Sequence, residues 1–264
     1  MKDLIISNLP ASYPWQGNLY YFNTIDSTNT RAKQMAAEGA PHGTVLVADC
    51  QTGGRGRMGR SFHSPAGSGI YLSMILRPEC PAQDLMHLTC AVAVAAADGI
   101  EFATGLRPGI KWTNDLVVRQ KKLGGILTEL SLDSQGNAEY AIVGIGINCN
   151  QHAEDFPGDI REIATSLHLC TKKRIDRPSV IAQILVALEK MSKALHDTDA
   201  VLSRYRSDCI TIGKEISLLR GDEIRHGKAL DVDESGALIV KFSDGQTQTV
   251  QSGEVSIRGM YGYV

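Results

Sequence analysis

The spacing of apolar residues changes several times along the chain, and each change marks an element. Residues 1–18 carry Pro10, Pro14 and Gly17 with no long periodic run, so they read as an irregular lead-in. Residues 19–25, LYYFNTI, are rich in β-formers and predict a strand. Asp26 and Ser27 then offer helix caps, Ala32, Met35 and Ala36 recur at helical spacing, and Gly39-Ala40-Pro41 ends the helix. Residues 44–49 and 70–76 predict two core strands. From Ala82 to about Thr104 an alanine-rich stretch predicts a long helix, small-faced enough to lie buried against a sheet. Residues 110–118, 123–132 and 139–147 read as strands, the last two joined by a hairpin turn at 133–137. A helix is expected from Ser179 to about Tyr205, with Pro178 at its start. After Gly213 five short β-runs follow at intervals of roughly eight to twelve residues, the signature of a small antiparallel barrel. Two domains are expected, 1–212 and 213–264.

Composition narrows the class. Of 264 residues, 43% are hydrophobic and 21% charged, which argues against wholesale disorder. Lys plus Arg number 27 against 29 Asp plus Glu, a net charge of −2, so a nucleic-acid partner would need a local basic patch. The apolar run 88–97, interrupted by Thr89, falls short of the ~20 residues of a membrane span. No signal peptide is read at the start, where Lys2 is soon followed by Asn8, Pro10 and Pro14. The six cysteines include no CxxC pair and the seven histidines no HExxH, so a tightly bound metal is not expected. A Cys–His nucleophilic site has no local support. A soluble cytoplasmic protein with reduced thiols is the expectation.

Four segments carry candidate chemistry. Residues 51–60, QTGGRGRMGR, combine four glycines with three arginines. Glycines let backbone N–H groups approach a ligand, and guanidiniums suit a carboxylate or phosphate. Gly54-x-Gly56-x-x-Gly59 matches the dinucleotide fingerprint in letters, but the continuation through Pro65 and Gly67 cannot begin the required helix. No Gly-Lys-Ser/Thr follows either, which excludes a P-loop; an exposed basic loop or a nucleic-acid contact stays open. Lys111-Trp-Thr-Asn-Asp115-Leu reads as a polar pocket wall or a solvated strand end. Alternation would put Lys111, Thr113 and Asp115 on one face, opposite Trp112 and Asn114. Lys122 precedes Gly124-Gly125, and a glycine pair inside a strand marks a bulge or a close ligand approach. Gly144-Ile-Gly146-Ile-Asn148 is an apolar strand ending in an amide that could meet a purine edge or cap the strand.

Taken in this order, Asp26-Ser27-Thr28-Asn29, the 51–60 loop, KWTNDL at 111–116, Lys122-Leu-Gly-Gly-Ile and GIGINCN at 144–150 closely resemble the biotin–protein ligase family. The resemblance runs from about residue 19 to 260. It implies an α+β fold: a mixed, largely antiparallel sheet with helices, like the class II aminoacyl-tRNA synthetases, plus a small C-terminal SH3-like barrel. It also implies an enzyme that joins biotin and ATP as biotinyl-5′-AMP and passes the biotinyl group to a lysine of a biotin carboxyl carrier protein.

By the same resemblance Ser27, Thr28, Asn29, Gln51, Arg55, Gly56, Arg57, Lys122 and Gly125 would hold biotin. Arg55, Arg57, Arg60, Phe62, Lys111, Asn114, Asn148, Ser166 and Arg258 would meet ATP and the adenylate. Lys122, Arg57 and Asp115 would be catalytic, with Asp115 also on the magnesium side and able to orient the incoming lysine. Closure of the 53–60 loop would exclude water from the mixed anhydride. Thr113 stands where the family commonly has proline, and Phe62 where some members have tryptophan. Only about 18 residues precede the first strand, too few for the helix-turn-helix domain of the bifunctional members, so DNA repression is not expected. A monomer or homodimer without membrane contact is expected. The nearest alternative is a lipoate–protein ligase or octanoyl transferase of the same fold. A non-catalytic nucleic-acid module is a more distant one, since the barrel offers little aromatic surface for base stacking.

Overall fold

The protein is described from a computed structural model covering residues 1–252 and the backbone of 256–259. In chain order the elements are α1 (Lys2–Ser7), β1 (Leu19–Ile25), α2 (Thr28–Ala37), β2 (Thr44–Gln51), β3 (Gly69–Leu76), α3 (Leu88–Thr104), β4 (Gly109–Lys111), β5 (Asp115–Val118), β6 (Lys121–Leu132), β7 (Ala138–Asn148), α4 (Leu167–Thr171), α5 (Arg177–Ala194) and α6 (Thr198–Asp208). The terminal strands are β8 (Glu215–Arg220), β9 (Glu223–Val232), β10 (Leu238–Phe242), β11 (Thr247–Val250) and β12 (Ser256–Gly259).

The first seven strands form one sheet in the order β1-β2-β3-β7-β6-β5-β4. Only β1 and β2 run parallel, with α2 as their crossover; every other neighbour is antiparallel. Every residue of β3 is buried, as expected of a central strand covered on both faces. On one face lie α3 and α5. They approach closely because Gly99 has no side chain: a Cβ there would sit 2.6 Å from the backbone N and Cα of Ile184. On the other face α2 packs Ala32 and Ala36 against Leu46, Ile75, Tyr140 and Ile142. That helix covers only part of the face.

The last five strands form a second, antiparallel sheet in the order β11-β10-β9-β8-β12, compatible with the SH3-like description. It is tied to the first body by hydrogen bonds. Trp112 N donates to Thr211 Oγ1 and Trp112 Nε1 to Gly236 O, each at 2.9 Å. The mixed, largely antiparallel α+β architecture is thus as the sequence and its resemblance indicated.

Several elements differ from the sequence reading. The lead-in contains α1, which buries Ile5 completely. The single strand expected at 110–118 is a hairpin of β4 and β5, because 112–114 form a turn and Lys111 pairs with Asp115. The turn is fixed from outside: Asn114 exchanges two 2.9 Å hydrogen bonds with Ile126, and the Tyr205 hydroxyl donates to Thr113 O. The alternation of faces expected through Thr113 is therefore lost. The helix expected from 179 to 205 is two helices, since Asp197 accepts from Ala200 N and starts α6 afresh. The stretch 82–104 begins with a 3-10 turn, and taken as one piece it is long and apolar enough to cross a membrane; 72% of its most apolar window is buried inside the protein.

The contact at Gly99 is backbone to backbone, so a methyl group has nowhere to go. Gly99→Ala is expected to lower stability by about 1–3 kcal/mol, read as a shifted urea midpoint with an unchanged slope. Unchanged stability would refute this packing.

Candidate functional site

The uncovered part of the α2 face is a cavity of about 460 Å³. Its floor is the middle of the sheet, its near wall the N-terminus of α2, and its lid the 51–62 segment. The floor is bare because it is lined by glycines: Gly125 pairs with Gly146, and Gly144 follows opposite Leu127. A Cβ on Gly144 would lie 2.0 Å from Asn29 Oδ1, and one on Gly146 would lie 2.7 Å from the Phe62 ring. Glycine here is required by the side chains seated on the strand.

At the α2 end neutral side chains interlock, and one carboxylate, Glu129, closes the network. Ser27 caps α2 by accepting from Thr30 N at 3.4 Å. Gln51 Oε1 accepts from Thr28 N at 2.9 Å and from Thr28 Oγ1 at 3.1 Å, while Gln51 Nε2 donates to Ser64 Oγ at 3.0 Å. Ser73, fully buried on β3, has its hydroxyl 2.8 Å from Thr28 Oγ1 and 2.6 Å from Asn29 Oδ1. Asn29 Nδ2 donates to Leu127 O at 3.2 Å and to Glu129 Oε2 at 3.0 Å. Glu129 also pairs with Lys33 at 3.1 Å. Burial alone would raise the Glu129 carboxyl, but the hydrogen bonds from Asn29 and Lys33 outweigh it and hold it below its ordinary value.

The 51–62 segment is an ordered hairpin. Phe62 N donates to Gly54 O at 2.9 Å and Gly56 N to Arg60 O at 2.7 Å. Gly54 has no room for a Cβ, which would lie 2.4 Å from Phe62 O and 2.6 Å from Ser64 Oγ. The hairpin carries Arg57 across the cavity, where Nη1 donates to Asn114 Oδ1 at 2.9 Å and Nη2 donates to Ser252 O of the terminal region. Burial lowers the Arg57 guanidinium from its ordinary pKa, and the nearby Asp115 carboxylate opposes that shift.

At the centre Lys122 Nζ is 2.7 Å from Asp115 Oδ1. Both groups stand over Gly125, whose missing Cβ would lie 3.4 Å from Asp115 and 3.5 Å from Lys122. The Lys122 backbone is clamped by a strap, donating to Ile163 O at 2.7 Å and accepting from Thr165 N at 2.8 Å. The glycine pair of β6 does mark a bulge: in the β5–β6 pairing Leu116 opposes Gly124 but Val117 opposes Lys122.

Fifteen of the seventeen candidate residues line this one cavity: Ser27, Thr28, Asn29, Gln51, Arg55, Gly56, Arg57, Arg60, Phe62, Lys111, Asn114, Asp115, Lys122, Gly125 and Asn148. Ser166 does not. Its buried hydroxyl caps α4, accepting from Leu169 N, and donates to Gln151 O. Thr165 instead presents its carbonyl to Asn148 Nδ2 at 3.0 Å. Arg258 lies by its backbone on β12, and its side chain is outside the described residues. The sequence reading missed Ser64, Ser73, Glu129 and the strap at 159–164, whose Asp159, Ile160, Ile163 and Ala164 also line the cavity. Among the described residues no three His, Cys, Asp or Glu side chains group as metal ligands.

A mixed sheet carrying such a cavity and backed by a small antiparallel sheet defines a class, and residues 21–148 match the biotin/lipoate A/B protein ligase family. Residues 211–258 match the biotin protein ligase C-terminal domain. The bifunctional ligase/repressor BirA of Bacillus subtilis is 40% identical over 230 residues, which span 86% of this chain and 70% of that protein. The biotin–[acetyl-CoA-carboxylase] ligase of Mycobacterium tuberculosis is 33% identical over 236 residues, 87% of this chain and 85% of its own length. A solved structure of the biotin protein ligase from Aquifex aeolicus in complex with biotin and ATP matches with a TM-score of 0.79 at 32% identity. That match covers 92% of this chain and 99% of the other. The chain belongs to the biotin protein ligase family.

Glu129 supplies a pH test of the α2 end. Its depressed pKa means it contributes stability that is present above the unfolded-state carboxylate value and lost as pH falls through the lower folded value. The destabilisation caused by Glu129→Gln is expected to be full at neutral pH and to fade in acid below about pH 4. A pH-independent difference between the two proteins in denaturant unfolding would refute the assignment.

Proposed function

We propose that this protein activates biotin with ATP as biotinyl-5′-adenylate and transfers the biotinyl group to one lysine of a biotin carboxyl carrier protein. The observation that carries the reading is the Lys122–Asp115 pair, 2.7 Å apart, in one cavity with the hydrogen-bonding side chains of Ser27, Thr28, Asn29 and Gln51 and with the cations Arg57, Arg60 and Lys111. A ligand with a neutral polar head and a carboxylate tail suits the first set. A nucleoside triphosphate suits the second.

In the first step a carboxylate oxygen of biotin attacks the α-phosphorus and pyrophosphate leaves. Two anions must approach, and the Lys122 ammonium offsets their repulsion and the charge that grows at phosphorus. Arg57, held against Asn114, adds a second cation whose direction is set before substrate arrives. Magnesium enters with the triphosphate as part of that substrate. Asp115 would face the magnesium ion from the cavity wall, and the ion would offset the charge of the phosphates. In the second step the carrier amine attacks the acyl carbon, AMP leaves, and Asp115 orients the amine and takes up its proton. The hairpin lid shields the anhydride from water meanwhile. The carboxylase named for the Mycobacterium relative supports a carboxylase carrier as acceptor.

The reading is tested by ATP–pyrophosphate exchange with no acid, with biotin and with lipoate. Exchange is expected with biotin alone, and to fall by about 10²–10³ in Lys122→Ala and in Arg57→Ala. Exchange with lipoate instead would overturn the substrate. Exchange with neither would overturn the ligase reading and favour the nucleic-acid one.

A further inference from the structure

The buried hydroxyls and amides around Thr28 form a chain in which the partners of each group decide which side donates. Asn29 Nδ2 faces two acceptors, Leu127 O and the Glu129 carboxylate, so its amide cannot be turned around and Oδ1 must face Ser73. Asn29 Oδ1 has no hydrogen to give, so the Ser73 hydroxyl is the donor, its one hydrogen shared between Asn29 Oδ1 at 2.6 Å and Thr28 Oγ1 at 2.8 Å. Facing a donor, Thr28 sends its own hydrogen to Gln51 Oε1. Gln51 in turn cannot turn around, because Oε1 accepts twice from Thr28 while Nε2 donates to Ser64 Oγ. Ser64 ends the chain by donating to Phe62 O at 2.9 Å. Ser73 and Ser64 are fully or almost fully buried, at 0% and 4% exposure, so water does not compete for these bonds.

We infer that Ser73 and Ser64 are positioning residues that fix the hydrogen-bond polarity of the biotin head-group site: Thr28 faces the cavity only as an acceptor, and Gln51 only as a donor. Both lone pairs of Gln51 Oε1 are occupied, which leaves its second Nε2 hydrogen, while Thr28 retains a lone pair and no hydrogen. The matching ligand presents an N–H beside a carbonyl oxygen, as a cyclic urea does and a dithiolane does not. Specificity of this kind is strong because the wrong ligand leaves buried polar groups unpaired. The inference rests on the biotin reading above and gives it a physical basis for rejecting lipoate.

The test is equilibrium binding of biotin to the wild type, Ser73→Ala, Thr28→Val and the double variant, with the KM for ATP measured alongside. Ser73→Ala is expected to weaken biotin about tenfold or more while the KM for ATP stays within about twofold. Because Ser73 acts through the Thr28 hydroxyl, the double variant should bind no more weakly than Thr28→Val alone. Losses that add, or a Ser73→Ala protein that binds biotin as the wild type does, would overturn the inference while leaving the ligase reading intact. Equal damage to biotin and ATP would also overturn it, since that is the mark of a general structural role. Should Ser73→Ala fail to fold, Ser64→Ala tests the other end of the chain, with the same expected loss for biotin and none for ATP. A wild type that binds no biotin would overturn the reading and the inference together.

Discussion

The site depends on how closely side chains can come to the backbone of β6 and β7. At Gly144 the side chain of Asn29 occupies the place a Cβ would take, and at Gly146 the Phe62 ring does the same. At Gly124 the obstacle is Gly146 O of the neighbouring strand, 2.4 Å from a Cβ. Side chains at these positions would lift the α2 N-terminus and the hairpin lid off the sheet, and the cavity would lose its depth. Central strands of a mixed sheet are ordinarily filled with β-branched residues that pack outward. Here the strands keep that filling on the face toward α3 and α5, with Ile145 and Ile147 buried, and give it up on the other. One strand thus serves as core on one side and cavity floor on the other.

The second sheet acts on the cavity through backbone anchors. Trp112 is gripped twice, by Thr211 and by the carbonyl of Gly236 in the β9–β10 turn. Gly236 adopts a positive φ of 80°, and a Cβ there would meet Cys90 Sγ at 2.8 Å, so the turn is wedged against α3. Tyr205 of α6 holds Thr113 O from another direction. The turn between Lys111 and Asp115 is therefore rigid although it is short and polar, and Asn114 can hold Arg57 in place. The Trp112–Thr113 peptide is cis.

How much of this was legible in the sequence follows from the range of the forces involved. The strands and α2 were readable because burial on one or both faces imposes a local period, and the β1 limits agree with that reading residue for residue. Turns set by distant partners left no local mark. Nothing within 109–118 says that Ile126 and Tyr205 will pin residues 113 and 114, so an unbroken strand was the natural expectation. The break before α6 had a local sign, Asp197 followed by helix formers, but apolar periodicity on both sides masked it. Ser166 lies outside the cavity lining, and its place was hidden for a related reason. A serine beside a ligand and a serine capping a helix look alike in sequence, and only the carbonyl of Gln151 and the N–H of Leu169 distinguish them. Ser73 and Glu129 read as ordinary strand residues because their partners lie 44 and 100 positions away.

On the proposed reading the cavity combines two kinds of recognition, which is how a protein with a net charge of −2 would serve two anions. At the α2 end selectivity comes from hydrogen-bond direction among neutral groups, which neither salt nor bulk charge disturbs. The one carboxylate in that network, Glu129, is neutralised by Lys33 on its outer side. Arg57, held against Asn114, and Lys111 add positive charge to the cavity wall that phosphates could use. Lys122 lines the same cavity, and its contact with Asp115 keeps a positive charge there without leaving it uncompensated in a partly buried place. On the proposed reading, arrival of a carboxylate and a phosphate exchanges one anionic partner for others, which is less demanding than creating a buried cation. The carboxylate released in that exchange is the one best placed to receive a proton from an incoming amine.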